Sequence, residues 1–422
     1  MSAAPGPGLD CCLVSIGSRG DVTPFIALGQ ALQRRGHRVR LVVLAPWRQL
    51  VRRSGLDCVP VPLGDEVLWP AHPLARRAMV AQPGLMWAGM TTQVHRSAAT
   101  IVATLREAAG GADVLVSGLL TAGASAALAE RQQMSSATLL LGPLLPSPDA
   151  SRTVLGPPHV PGIVTLAASA ALWRMTRTMG ASTTRRMARE LGPAPRRPGA
   201  RGAATARTPD LTMMATSPAV SPPEPGWPQG LVQVGRLVPE PDGQALDPGL
   251  AQWLGEHPDA VLMDFGSVPA ASAPRDTALL RAAARRVGRP AVLQTAALPP
   301  GELAPGVWNA PGADHHLLMP AVDLVVHHGG AGTSYAALAA GRPGVLVPHL
   351  GDQAYYARRV RELGVGDSPG PRWRVRPDSL ARAMERVDDA AVRRRSARLA
   401  DELRHEDGAA TAAGLVEALG RG

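Results

Sequence analysis

The chain has 422 residues, 45% of them hydrophobic and 18% charged, with 45 Gly and 41 Pro; this length and apolar content suffice for two ordinary domains and exclude a disulfide-stapled miniprotein or a globally disordered chain. Forty-four Lys and Arg against 34 Asp and Glu give a formal charge of +10, and all of these basic residues are Arg, so the surface favours anions such as phosphates. Aromatics reach only 3% and do not interleave with the arginines, which argues against nucleic acid as a partner.

The opening MSAAPGPGLD has neither the basic nor the apolar region of a secretory signal. Cys11, Cys12 and Cys58 read as buried, reduced thiols of a cytoplasmic protein. The longest uncharged run of the first half, Val114 to Ala129, is small-residue core material and no membrane span. Any membrane contact is therefore peripheral at most, through the Arg-rich stretch after Leu172.

Cys11 to Ile16 predicts a strand, Gly17 to Asp21 a loop, and Pro24 to Arg35 a helix closed by Gly36. Val39 to Leu44 then completes a βαβ unit, so the sheet is parallel. Val59 to Val61, Val114 to Val116 and Thr138 to Leu141 supply further strands. From Leu144 to Arg207 proline clusters surround an Arg-rich helical stretch, Leu166 to Leu191. The Pro-dense segment Pro218 to Pro228 reads as a linker and hinge, which divides the chain into residues 1–222 and 223–422. In the second part, Leu231 to Val234, Ala260 to Phe265, Pro290 to Gln294, Val322 to Val326 and Gly344 to Val347 are strand-like runs, most of them ending in small or polar turns. The fold class is α/β, two Rossmann-like, doubly wound parallel sheets. The last helix, Gly408 to Leu419, is a candidate to cross back to the first domain.

The strongest chemical motif is Val325-Val326-His327-His328-Gly329-Gly330-Ala331-Gly332-Thr333-Ser334, a strand running into small residues and then a helix. Small side chains let a ligand approach the backbone, and the free N–H groups of a helix start favour an anion by about 0.3 to 1 kcal/mol. A tight ligand-free turn needs one Gly, not two His with Thr and Ser. Adjacent histidines in an extended chain point to opposite sides, so they make poor joint metal ligands; one is expected to face the ligand and the other the protein. Downstream, Asp352-Gln353 follow the strand Gly344 to Val347; side by side they suit a hydroxyl-rich ligand, and Asp352 serves equally as an N-cap. In the first domain, the Ser18-Arg19-Gly20-Asp21 loop offers Asp21 either as helix cap or as general base, with Arg19 near an anion. The patterns GxGxxG and GxxxxGK[ST] are absent from this loop.

Together, GSRGDVTPFIALGQALQRRGH at Gly17 to His37, VVHHGGAGTSYAALAAGRPGVLVPHLGDQAYYARRVRELGVG at Val325 to Gly366 and Asp264-Phe265-Gly266-Ser267 resemble the GT-B, family 1 glycosyltransferases. The likeness is to the bacterial branch that decorates glycopeptide and macrolide antibiotics and to sterol glucosyltransferases. It implies two Rossmann-like domains facing a central cleft, with Asp21 as the base that deprotonates an acceptor hydroxyl. The donor, a UDP- or TDP-sugar, would be held by Ser18, Arg19, Ser267, His327, Gly330, Ala331, Gly332 and Thr333 around the diphosphate and by Asp352 and Gln353 on the sugar. Asp314-His315 stands where the antibiotic branch has Asn-His, and the acceptor region, Leu68 to Arg96 and Pro143 to Leu191, matches nothing in the family, so acceptor-binding residues are unassigned.

The implied reaction is a single displacement with inversion at the anomeric carbon, the leaving diphosphate stabilised by His327 and the helix start at Gly332-Thr333. The acceptor is expected to be a hydrophobic natural product; Met79, Met86, Met90, Trp87, Met175 and Met179 would give it an adaptable apolar lining, although methionines at such spacing are more often plain core. The sequence has no Asp-x-Asp pair to hold a divalent ion, so neither a metal nor another cofactor is expected. Two alternatives share the architecture: a nucleotide-sugar epimerase, which turns over without an acceptor, and a non-catalytic nucleotide-sugar-binding helper of another transferase, which has no need of Asp21, Asp352 and Gln353 together.

Overall fold

The computed structural model describes residues 8–67, 83–157, 160–192, 209–241, 243–266, 273–349 and 351–422. They form two compact units, Met1–Asp242 with Asp407–Gly422, and Gly243–Glu406.

The first unit is built on seven parallel strands: β1 (Asp10–Ser15), β2 (Arg38–Leu44), β3 (Asp57–Val61), β4 (Val114–Gly118), β5 (Ser135–Leu140), β6 (Leu211–Met214) and β7 (Leu231–Gln233), in the order β3-β2-β1-β4-β5-β6-β7. A parallel sheet covered on both faces needs apolar residues on both sides of its central strands, and β1 is buried along its whole length. Cys11 and Leu13 face one core and Cys12 and Val14 the other, as the two-residue period of a strand requires. The first core takes Val22, Phe25, Leu28 and Leu32 from the helix Arg19–Arg34, and Ala409, Ala412, Ala413 and Val416 from the last helix, Gly408–Arg421. Helices Ala98–Ala108 and Ala122–Gln132 cover the other face. All three cysteines are free and buried.

Two sequence expectations change. The first helix starts at Arg19 rather than Pro24; Pro24 sits close enough to the helix start that its missing N–H and ring perturb only the first turns. The Pro-dense segment Pro218 to Pro228 is no boundary between the units, because β7 follows it and pairs with β6. Its backbone is held inside the first unit, where the Gln233 amide donates to the carbonyls of Ser221 (2.8 Å) and Thr216 (3.0 Å). The division falls instead after Asp242.

The second unit carries β8 (Val261–Asp264), β9 (Ala291–Leu293), β10 (Gly301–Ala304), β11 (Val307–Asn309), β12 (Leu324–His327), β13 (Gly344–Leu346) and β14 (Gly366–Asp367), ordered β10-β11-β9-β8-β12-β13-β14. All pairings are parallel except the β10–β11 hairpin. Chain order reverses between β1 and β4 in the first sheet and between β8 and β12 in the second. At such switch points the loops leaving the carboxyl ends of the strands diverge and open a crevice for ligands.

The chain's 3 tyrosines gather in the second unit. Tyr356 lies with its ring centroid 5.2 Å from that of Tyr355 and 5.9 Å from that of Tyr335, and its buried hydroxyl has no hydrogen-bond partner among the described residues. An unpaired buried hydroxyl costs about 1 to 3 kcal/mol, so Tyr356→Phe is expected to leave stability unchanged or raise it by about 1 kcal/mol. A thermal melt of the variant checks this; a clear fall in Tm would show that the hydroxyl has a partner.

Candidate active site

At the first switch point, β1 ends at Ser15, Ile16 and Gly17 follow, and the helix opens at Arg19. The Asp21 carboxylate folds back over the loop, its Oδ2 accepting from the Ser18 N–H at 2.6 Å and the Ser18 hydroxyl at 2.7 Å. Gly17 is required here, since a Cβ would come within 2.5 Å of Asp21 Oδ2. Further bonds brace the loop: the Trp47 indole N–H donates to the Gly17 carbonyl at 3.0 Å, and Ser15 Oγ donates to the Asp21 carbonyl at 3.0 Å. Desolvation pushes the Asp21 carboxyl above its ordinary range, and the two Ser18 bonds offset part of that rise. Among the described residues Oδ1 has no hydrogen-bond donor, so one oxygen is tied to the helix start and the other is left to accept a proton. Arg19 is exposed in the same first turn.

At the second switch point, β12 ends at His327 and the helix Ala331–Ala339 begins with Gly330 at its N-cap. Gly332 is exposed and Ala331 and Thr333 are half-buried, so the helix start, whose first N–H groups have no partner within the helix, is open to a ligand. The histidines divide inward and outward as strand alternation demands. His327 is 1% exposed, its Nδ1 accepts from the Gly329 N–H at 3.1 Å, and burial pulls its pKa down to about 3. Its Nδ1 is thus engaged with the loop backbone. His328 is the partly exposed member of the pair, its Nδ1 has no hydrogen-bond partner among the described residues, and desolvation lowers its pKa as well. Its ring lies in a cradle that two glycines make possible: a Cβ on Gly266 or on Gly330 would come within 2.5 Å of the imidazole.

The loop after β13 brings Asp352 and Gln353 to the same end of the sheet. Asp352 occupies the N-cap of the helix Gln353–Glu362 without making a side-chain capping bond. Gln353 is buried, and its Oε1 accepts from the His349 N–H at 2.8 Å, so one end of its amide is used to hold the loop. The structure thus gathers His327, Gly330, Ala331, Gly332, Thr333, Asp352 and Gln353 in the second unit, and Ser18, Arg19 and Asp21 in the first. Ser267 and part of the acceptor region lie outside the described residues.

The sequence reading missed Asp264, Gln294 and His349. Asp264 ends β8, is 4% exposed, accepts from the Gly266 N–H at 2.5 Å through Oδ1, and has Oδ2 at 3.3 Å from His315 Nε2. Burial is the largest influence on this carboxyl and acts upward. The hydrogen bond and charge of His315, the His328 ring and the Gly266 N–H together outweigh it and hold the group below its ordinary range. His315 Nε2 also lies 2.7 Å from Gln294 Oε1, and the Gln294 amide donates to the Ala313 carbonyl at 2.6 Å. Asp314 caps the short helix His315–Leu318 by accepting from the His316 N–H at 2.7 Å, a role that Asp fills as well as Asn. A buried acid closing an otherwise apolar strand was the available signal for Asp264.

Residues 11–128 match the glycosyltransferase family 28 N-terminal domain, and residues 301–419 match the erythromycin biosynthesis protein CIII-like C-terminal domain. The chain is 28% identical to O-mycaminosyltylonolide 6-deoxyallosyltransferase of Streptomyces fradiae, with 96% of each chain covered. It is 30% identical to vancomycin aglycone glucosyltransferase of Amycolatopsis orientalis, again over 96% of each. Its fold superposes on the glycosyltransferase VinC, solved in complex with DTDP, with a TM-score of 0.69 at 19% identity, covering 98% of this chain and 100% of that one. Two doubly wound units, each with a loop of small residues or an acid at its switch point, and likeness along the whole chain to enzymes that glycosylate antibiotics lead to one conclusion: this protein is a glycosyltransferase of the antibiotic-type, GT-B family 1.

Proposed function

We propose that the enzyme moves a sugar from a UDP- or TDP-sugar to a hydroxyl of a hydrophobic natural product, with inversion and without a metal ion. What supports this most is the convergence, at the carboxyl ends of β12 and β13, of an open helix start of small residues with an acid and amide pair. The helix start offers N–H groups and a partial positive charge to the diphosphate, and these gain strength as negative charge develops on the leaving group. Asp352 and Gln353 are assigned to the sugar hydroxyls. His328 takes the exposed position beside the diphosphate, while His327 shapes the loop through Gly329. Ser18 holds Asp21, whose Oδ1 removes the proton from the acceptor hydroxyl as that oxygen attacks the anomeric carbon; Arg19 and Ser267 are assigned to the diphosphate.

A thymidine nucleotide is supported by the DTDP complex of the neighbour VinC, and an antibiotic-like acceptor by the aglycones named for the two relatives. The metal-free reading rests on the lack of any Asp-x-Asp pair in the sequence, and the buried thiols suit a reducing cytoplasm. Among the described residues no helix is long and apolar enough to cross a membrane.

The test is release of nucleoside diphosphate from a panel of UDP- and TDP-sugars, with and without a library of hydrophobic aglycones, in the presence and absence of EDTA. Acceptor-dependent release that EDTA leaves unchanged is the expected result. Turnover of a nucleotide-sugar without acceptor would favour an epimerase, and loss of activity in EDTA that divalent ions restore would overturn the metal-free mechanism.

A further inference from the structure

The Asp21 carboxylate is only as well placed as the loop beneath it, and one side chain from another part of the chain holds that loop. Trp47 lies three residues past the end of β2, which runs parallel to β1 with Val43 opposite Ser15, so its ring stands at the same carboxyl edge of the sheet as the Asp21 loop. It packs against both cores of the first unit, one on each face of the sheet. A ring wedged in this way is fixed, and its single polar atom has one target: the indole N–H donates to the Gly17 carbonyl at 3.0 Å. The carboxyl lies against the same residue. A Cβ on Gly17 would come within 2.6 Å of Asp21 Cγ, so the Gly17 backbone is in direct contact with the base. The Ser15 and Ser18 bonds to Asp21 stay within the strand, loop and helix start that carry it, whereas the indole bond reaches in from 30 residues away.

Resting on the reading of Asp21 as the base, we propose that Trp47 is a positioning residue for the transfer: its N–H fixes the Gly17 peptide, and with it the distance and angle at which Asp21 Oδ1 meets the acceptor hydroxyl. A reacting group displaced by about 1 Å can lose about 10² in rate. The open helix start and the Asp352 and Gln353 pair that are assigned to the donor belong to the second unit, so the effect falls on kcat rather than on nucleotide affinity.

Two substitutions separate the N–H from the packing. Trp47→Phe keeps much of the ring volume and removes the donor. Trp47→His loses the benzo ring, but its Nε2 is joined to Cβ through the same number of bonds as the indole Nε1, so a donor remains at that place. The expected result in the full-length enzyme is kcat for sugar transfer lowered about tenfold or more in Trp47→Phe and within a few-fold of wild type in Trp47→His, with affinity for UDP and TDP little changed in either. Melting should rank the two in the opposite order, because the imidazole fills less of the space between the cores. If Trp47 served packing alone, activity would follow the melting order.

The pH profile of kcat/KM gives a second readout. Among the described residues, burial and the Ser18 bonds act on the Asp21 carboxyl, while Arg19 in its own turn and Arg48 beside Trp47 are exposed. A loop released from the indole admits water to the carboxyl and relieves its desolvation, so the acid limb should move to lower pH in Trp47→Phe and stay in place in Trp47→His. Wild-type kcat or an unmoved acid limb in Trp47→Phe overturns the proposal, and so does a Trp47→His variant as impaired as Trp47→Phe. If either variant fails to fold, the other decides: for Trp47→His alone, near wild-type kcat supports the donor role and a loss of about tenfold overturns it. Asp21→Asn, run alongside, keeps the two readings apart. Wild-type turnover there would remove Asp21 as the base and this proposal with it, whereas loss of turnover there with an unimpaired Trp47→Phe would overturn the Trp47 assignment alone.

Discussion

Asp21→Asn is expected to lower kcat for sugar transfer by about 10² to 10⁴, the usual contribution of a positioned general base, while leaving nucleotide affinity and the fold in place. The reasoning starts from the two carboxylate oxygens. Oδ2 accepts both Ser18 bonds, and an Asn carbonyl oxygen can accept the same pair, so the start of the helix Arg19–Arg34 survives the change. Basicity, the property an amide lacks, is what the variant removes. Asp21→Ala serves as contrast, because it also loses the Ser18 bonds, at a cost of about 1 kcal/mol. The pH profile gives a second readout. Desolvation raises the Asp21 carboxyl above its ordinary value, so the base is progressively protonated as pH falls through that raised value, and the acid limb of kcat/KM should lie above the normal carboxylate range. That limb should vanish in Asp21→Asn. Turnover of Asp21→Asn within a few-fold of wild type would reduce Asp21 to a helix cap.

The residues of the two switch points were legible in the sequence because each follows an apolar run that must be a central parallel strand, and because loops there need small or capping residues for reasons of backbone geometry alone. Gly17, Gly266 and Gly330 illustrate this, each leaving room for a side chain packed against it. Which member of an adjacent histidine pair is buried was not legible. Alternation says that His327 and His328 point apart, but only packing decides that His327 turns into the layer. The contact of Asp264 and Gln294 with His315 was hidden for a different reason: the three stand apart in sequence, and only the fold of the second unit brings them within hydrogen-bond distance. Proline density does not mark the domain boundary, because the prolines from Pro218 to Pro228 lie in a connection between β6 and β7 that Gln233 holds through the Thr216 and Ser221 carbonyls.

Ending the chain after Glu406 is expected to destabilise the first unit by about 5 kcal/mol, a large share of the stability of an ordinary domain. The lost helix, Gly408–Arg421, is built for one contact face: Ala409, Ala412, Ala413 and Val416 are buried among Leu9, Val22, Phe25 and the β1 side chains. Val416 accounts for about 2 kcal/mol of that figure, and the alanines and the apolar surface they cover supply the rest. The close fit begins at Gly408, where a Cβ would lie 2.3 Å from the Arg236 carbonyl oxygen, so Gly408→Val should unseat the helix while keeping its length. Ion pairing contributes much less. Arg35 reaches Glu417 at 2.8 Å and 2.5 Å, but the Arg side chain is 43% exposed, and Glu417→Gln is expected to cost no more than about 1 kcal/mol. Thermal unfolding should therefore order the proteins as wild type, Glu417→Gln, Gly408→Val and the truncated chain, the last with Tm lower by about 10 to 20 °C. Amide exchange at β1 and β2 should quicken in step, because the helix covers their face of the sheet. A truncated chain that melts within a few degrees of wild type would mean that the first unit carries its core without this helix.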